Sequence, residues 1–180
     1  VGDASVQRVR TRSSWFEIPL LVADGPVTLP RVQAQLFGNR NFMGRLVLPD
    51  LLAACGLQPP AEADARAGCD ALRGWDRTSE ANARGAHLFR EFWRTARSIP
   101  NVHRTAFDAA QPMAGPAGLR MDDTATAAKV WEALAGAVKK VRDAGFALDA
   151  PLASVQRPVM LREPIGLHGG DEIEGVLNNL

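Results

Sequence analysis

Little in this chain invites a membrane, a metal or a nucleic acid, and each absence narrows what it can do. No apolar run reaches the roughly 20 residues that a membrane-spanning helix needs. Residues 1–20 also lack the charged-then-apolar layout of a secretion signal. The 21 basic and 20 acidic residues leave a net charge of +1 with no long run of one sign, so nothing draws in nucleic acid or an anionic lipid surface. His87, His103 and His168 and the two cysteines show no CxxC or HxxxH spacing, and neither a metal nor a cofactor is expected. There is no GxSxG elbow, Ser13 and Ser14 lack a nucleophile context, and no internal repeat or low-complexity segment is present.

What is present reads as mostly helical. Hydrophobic residues make up 46% of 180, enough for a sizeable core in a chain of single-domain length. Residues 1–27 combine Arg8, Arg10 and Arg12 with an apolar stretch from Trp15 to Val22 broken by Pro19, which fits a short helix and a connector. Thr28 reads as an N-cap before Pro30, and Leu29, Val32 and Leu36 recur at helical spacing up to Gly38. Pro49 and Asp50 read as the opening of another helix, with Leu51, Leu52 and Cys55 on its apolar side and Gly56 as its stop. A further helix spans 61–72. After a polar break at 76–79, an aromatic helix carries Ala86, Phe89, Phe92, Trp93 and Ala96 on one face.

Residues 97–121, punctuated by Pro and Gly, read as a long ordered loop. The best-formed helix follows Asp122 and Asp123: Ala127, Trp131, Leu134, Val138 and Val141 share one side, Lys139, Lys140 and Arg142 sit near its end, and Gly145 stops it. From Ser154 to Leu167 the chain is rich in Val, Ile, Leu and Met but cut by Pro158 and Pro164. That pattern predicts irregular strand pairs, with a last strand at 175–178. The chain starts at Val1 without Met and stops at Leu180 just after this segment, which reads as a processed piece.

The groups that could carry chemistry each have a plainer reading. Cys55 and Cys69 lie on consecutive short helices that a hairpin would bring together. Paired, they would contribute on the order of 3 kcal/mol and suit an oxidising compartment; unpaired, they are two buried thiols. The histidines read as solvent-exposed or locally bonded. Of Trp15, Trp75, Trp93 and Trp131, three sit in or beside apolar helical faces, where core packing is the default over a stacking platform. The arginine cluster alone reads as a solvated face. Gly169-Gly170-Asp171-Glu172 is similar to the GGDEF signature of cyclic-dinucleotide synthases, but Ile173 replaces the Phe and few residues follow. A tight turn using glycine at positive φ fits better.

Six segments in fixed order carry more than any one of them: RVRTR opening a helix, LVLPDLLAAC, CDALRGWD, LFREFW, FDAAQP at 107–112 and LHGGDEIEGVLNN. Together they resemble the large chain of the penicillin acylase family, and within it the acyl-homoserine lactone acylases, which belong to the N-terminal nucleophile hydrolases. The resemblance covers nearly all of this chain but a minority of the mature enzyme, in the C-terminal half of the large (β) chain. It implies an α+β class and a four-layer αββα fold. Residues 1–180 would then be a fragment of the β-chain domain, mostly helical with late strands, and not an independent domain.

In that family, cleavage of a precursor zymogen exposes a Ser whose own α-amine is the general base. Its hydroxyl attacks the substrate amide, backbone N–H and an Asn side chain hold the oxyanion, and water releases the acid from the acyl-enzyme. Val1 cannot supply that Ser, so the nucleophile would sit on another chain. The one residue carried over is Arg10, the first Arg of RTR, matched to the arginine that positions the catalytic shell and substrate; Arg12 is the alternative if the alignment slips by two.

The implied partners are the small α chain, the Ser-bearing part of the β chain and a small N-acyl substrate. That substrate would be an acyl-homoserine lactone, as in quorum quenching, or a penicillin-type β-lactam, as in antibiotic resistance. The implied compartment is periplasmic or secreted. The competing reading is a non-catalytic helical module that binds a partner protein.

Overall fold

The computed structural model describes residues 8–23, 25–158 and 165–178, and among them the chain runs through seven α-helices and one 3-10 turn, with no strand. The order is α1 (Val9–Ala23), α2 (Leu29–Phe37), α3 (Phe42–Leu57), α4 (Ala63–Arg73), α5 (Ala86–Ala96), α6 (Thr124–Asp143), α7 (Leu152–Val155) and the turn Glu172–Glu174. The strand half of the α+β expectation finds no support in these residues.

Helix α6 is the centre of the body and packs against both α4 and α5. Asp123 caps it, its carboxylate accepting from Thr126 N at 2.7 Å, and Lys140 and Arg142 sit where the dipole favours cations. Val130, Leu134, Val138 and Val141 are buried along one stripe. On α4, a Cβ at Gly68 would stand 2.8 Å from Leu134 Cδ1, so the missing side chain is what lets the two helices approach. Helix α5 adds the aromatic core: the Phe89 ring lies 4.7 Å from Trp75 and 6.5 Å from a nearly parallel Trp93. Trp75 Nε1 donates to Thr78 O and Trp93 Nε1 to Ile173 O, so neither indole is buried with an orphan donor.

Helix α3 begins well before Pro49. Asn41 is its cap, with Oδ1 accepting from Gly44 N at 2.8 Å, and Pro49 therefore falls inside the helix with its ring on the exposed side. An interior proline costs about 3 kcal/mol. Burial of Met43, Val47, Leu48 and Leu51 outweighs it, at about 1.5–3 kcal/mol for each side chain. Gly56 is likewise interior; the helix ends at Leu57, and Gln58 N–H closes it on Ala54 O. Cys55 and Cys69 form a disulfide with Cα atoms 6.1 Å apart, fastening α3 to α4, so the free-thiol alternative drops out.

Residues 97–121 are ordered without being helical, as their composition predicts. Thr105 pairs with Ala117, Arg120 N donates to Val102 O, and Leu119 N reaches Asp50 Oδ2 on α3 at 2.8 Å. The strands expected at 154–167 do not form where the chain is described: Ser154 and Val155 end α7, and 156–158 and 165–167 are irregular, while 159–164 lie outside the described residues. At 175–178 the chain turns and bends instead of extending. There the Val176 carbonyl accepts from Arg10 Nε at 3.1 Å.

Helices α1 and α2 flank this body. α1 buries Arg12, Ser13 and Glu17. Glu17 Oε2 accepts from Arg40 Nε at 2.9 Å and pairs with Arg40 Nη2 at 2.7 Å, with Gln35 of α2 donating to the same oxygen. None of the residues of α2 is buried.

Candidate functional site

Arg10 and Arg12, two residues apart on α1, diverge by about 200° around its axis, and the structure sends them to different places. Arg10 is half-buried against the C-terminal segment, its Nε on Val176 O, and its Nη2 is a buried donor with no partner among the described residues. Arg12 goes to the 97–121 loop, where Nη1 donates to Pro116 O at 2.8 Å, Nη2 lies 3.5 Å from Met113 O, and the guanidinium stands 5.6 Å from the centroid of Phe42. At 2% exposure Arg12 is no surface residue, so the solvated-cluster reading holds only for Arg8, whose side chain is 82% exposed and pairs with Glu172 at 3.5 Å. Burial pulls the Arg12 pKa below its ordinary value, because carbonyl dipoles replace water incompletely around the charge.

Arg12 lines a cleft of about 380 Å³ whose polar residues are Arg8, Arg97, His103 and the carboxylate of Glu172, with Trp93 and Met43 among its apolar ones. His103 Nδ1 lies 3.1 Å from Gly118 O, and its ring meets Trp93 edge-on at 5.7 Å. Burial lowers the His103 pKa most; the Gly118 bond opposes this and the charge of Arg12 adds to it. Guanidinium forks of this kind hold carboxylates or polarise carbonyls. The hydroxyls of Ser14 and Ser154 donate to the backbone carbonyls of Arg10 and Pro151, which gives them no activating base.

The Gly-Gly-Asp-Glu segment is structural. Gly169 takes φ +98°, as the turn reading requires. Asp171 and Glu174 form a capping box around the 3-10 turn, and Glu174, fully buried, accepts from Arg90 Nε at 2.7 Å and Asn41 Nδ2 at 2.8 Å. This carboxylate knits α3, α5 and the C-terminal turn, a role the sequence reading misses although the Asp-x-x-Glu spacing signals a capping box. His168 Nδ1 lies 2.9 Å from the Asn39 amide nitrogen, 129 residues away, and 3.1 Å from that of Asn178, and its single lone pair accepts from one of them at a time. His87 is buried and meets Ala147 O through Nε2 at 3.0 Å; burial is the main cause of its lowered pKa. Trp75 and Trp93 are core residues, whereas Trp15 is exposed. Among the described residues no group of three or more His, Cys, Asp or Glu gathers for a metal, and no helix is long and apolar enough to cross a membrane.

Against known proteins, the penicillin amidase family model matches residues 8–178. The chain is 28% identical over 171 residues to an acyl-homoserine lactone acylase, PvdQ, of Pseudomonas syringae pv. tomato, covering 94% of this chain and 22% of that protein. The PvdQ of Pseudomonas fluorescens strain Pf-5 is 31% identical over 143 residues, covering 78% of this chain and 18% of its own. Aculeacin-A acylase of Actinoplanes utahensis is 42% identical over a shorter stretch of 71 residues, 36% of this chain and 9% of that enzyme. The chain thus spans about a fifth of the length of the acyl-homoserine lactone acylases it matches.

Proposed function

The chain belongs to the penicillin amidase family, and we propose that it is part of a linear-amide hydrolase that deacylates N-acyl small molecules. The observation that carries this is the family match over almost the whole chain together with relatives named for removing acyl groups, from acyl-homoserine lactones and from aculeacin A. The favoured substrate is an acyl-homoserine lactone, which would make the enzyme quorum-quenching, with penicillin-type β-lactams as a further class. The nucleophile is an N-terminal Ser on another chain of the same processed precursor, and the whole adopts the four-layer αββα fold to which this piece contributes helical cover. The disulfide suits a periplasmic or secreted enzyme.

Within this reading Arg10 is a positioning residue. Its Nε is tied to Val176 O, which fixes the guanidinium plane, and its buried Nη2 has no partner among the described residues and is open to a further acceptor. Arg12 is the less suited of the two because both of its Nη atoms are turned to the carbonyls of Pro116 and Met113, which leaves only its buried Nε without a partner among the described residues. The test is release of free acid from an N-acyl-homoserine lactone by the assembled protein. Arg10→Ala is expected to lower kcat by about 10²-fold with assembly intact, and Arg10→Lys to recover part of it. Unchanged kinetics in Arg10→Ala would remove the positioning role. Tight binding of a partner protein without acid release from any acylated substrate would favour the non-catalytic helical module instead.

A further inference from the structure

Helix α1 is amphipathic the wrong way round for an outer helix. Its polar residues Arg12, Ser13 and Glu17 face the body and are buried, whereas Trp15, Ile18 and Val22, at i, i+3 and i+7, form an exposed apolar stripe. Helix α2 repeats the spacing: Leu29, Val32 and Leu36 are also exposed. The exposures of these six side chains run from 38% to 70%, and the two helices that carry them are in contact. The buried face of α1 is not a chance arrangement, since Glu17 is held by Arg40 and Gln35 and Arg12 by the carbonyls of Pro116 and Met113. Turning the helix over to hide its apolar stripe would break all of these. A helix with one face committed to internal polar contacts and the other apolar is an interior helix missing its second neighbour.

We infer that the stripes Trp15/Ile18/Val22 and Leu29/Val32/Leu36 form one docking surface, and that its occupant is an apolar face of the remaining acylase polypeptide. Length argues for that occupant. The match to the Pseudomonas syringae relative takes in 94% of this chain but 22% of the relative, so nearly four-fifths of a homologous polypeptide is available to cover the surface. Composition argues for its chemistry, because the six stripe positions carry no charge and call for an apolar counterpart. Since Arg10 is on the same helix, docking there also fixes the helix that presents the proposed positioning residue. The identity of the occupant, though not the existence of the surface, rests on the acylase reading.

The test is oxidative footprinting of the intact particle that contains this chain, compared with the same particle unfolded in urea. Labelling of Trp15, Leu29 and Leu36 is expected to fall to the level of the buried Phe89 and Trp93. If the three label in the particle as heavily as in urea, the surface is not a docking site. Protection that fades on dilution, in a particle whose mass is accounted for by this chain alone, would instead assign the surface to a second copy and overturn the named occupant. A paired substitution, Leu29→Asp with Leu36→Asp, should abolish assembly with the other polypeptide, while Gln33→Asp on the same helix should not. The two readings separate cleanly: a protected stripe in a particle that releases no acid sinks the acylase activity alone, and acid release with an exposed stripe sinks the docking surface alone.

Discussion

In the body formed by α3 to α6, apolar side chains point inward and charges face water; in α1 and α2 the arrangement is reversed. Phe89, Leu134 and Val138 are buried completely, and the Glu174 carboxylate that pairs with Arg90 also accepts from Asn41 Nδ2 and Asp171 N. On α1 the fully buried side chains are the polar Arg12, Ser13 and Glu17, with Val9 and Phe16 half-buried against the core, while Trp15, Ile18 and Val22 are exposed. The difference shows that hydrophobic spacing reports which face of a helix wants cover, and leaves open which polypeptide supplies it. The body supplies its own; among the described residues nothing covers the outer face of the α1–α2 limb.

That contrast is sharpened by substitutions ranked from the largest effect to the smallest. Phe89→Ala should cost about 3–5 kcal/mol in urea unfolding, because it removes the ring that Trp75 and Trp93 both pack on. Arg90→Met should approach the same loss, about 3–5 kcal/mol, since it strands the buried Glu174 carboxylate; a second change, Glu174→Gln in the same chain, should restore part of it. Replacing both Cys55 and Cys69 by Ala should lower stability by about 3 kcal/mol under oxidising conditions and make the protein indifferent to reductant.

Next comes a pH effect. His87 and His103 both have pKa values held below 6.5, chiefly by burial, so the unfolded chain binds protons there more readily than the folded one. Their contribution to stability is fully present above pH 6.5 and is lost as pH falls through the lowered values. His87→Gln should flatten that acid limb in urea midpoints measured between neutral and acid pH, and an unaltered limb would exclude His87 as its source. Smallest of all, Leu29→Ser should change the stability of this chain by no more than about 0.5 kcal/mol, because nothing within it buries the side chain. A loss as large as that of Phe89→Ala would erase the contrast between limb and body.

Much of the body was legible before any coordinates. The α6 stripe, its Asp123 cap and the α5 aromatic face are local patterns, and local geometry decides them. The start of α3 was not, because Pro49 suits a first turn as well as a tolerated interior site, and only the Asn41 bond to Gly44 separates the two. The strand expected at 175–178 is not seen among the described residues, where Val176, although strand-like in sequence, gives its carbonyl to Arg10 from the far end of the chain. Arg12 is the same case, since its burial depends on a loop more than a hundred residues away. In the candidate site, the arginines were visible as residues, whereas their divergence to two separate environments needed the helix and both of its neighbours.

The proposal that this chain is one piece of a processed acylase is tested most directly by intact-mass analysis with N-terminal sequencing of the active particle. A second chain that begins with Ser is expected, co-purifying with this one in fixed proportion while N-acyl substrate is cleaved. A particle that cleaves such substrates with no Ser-initiated chain present would contradict it.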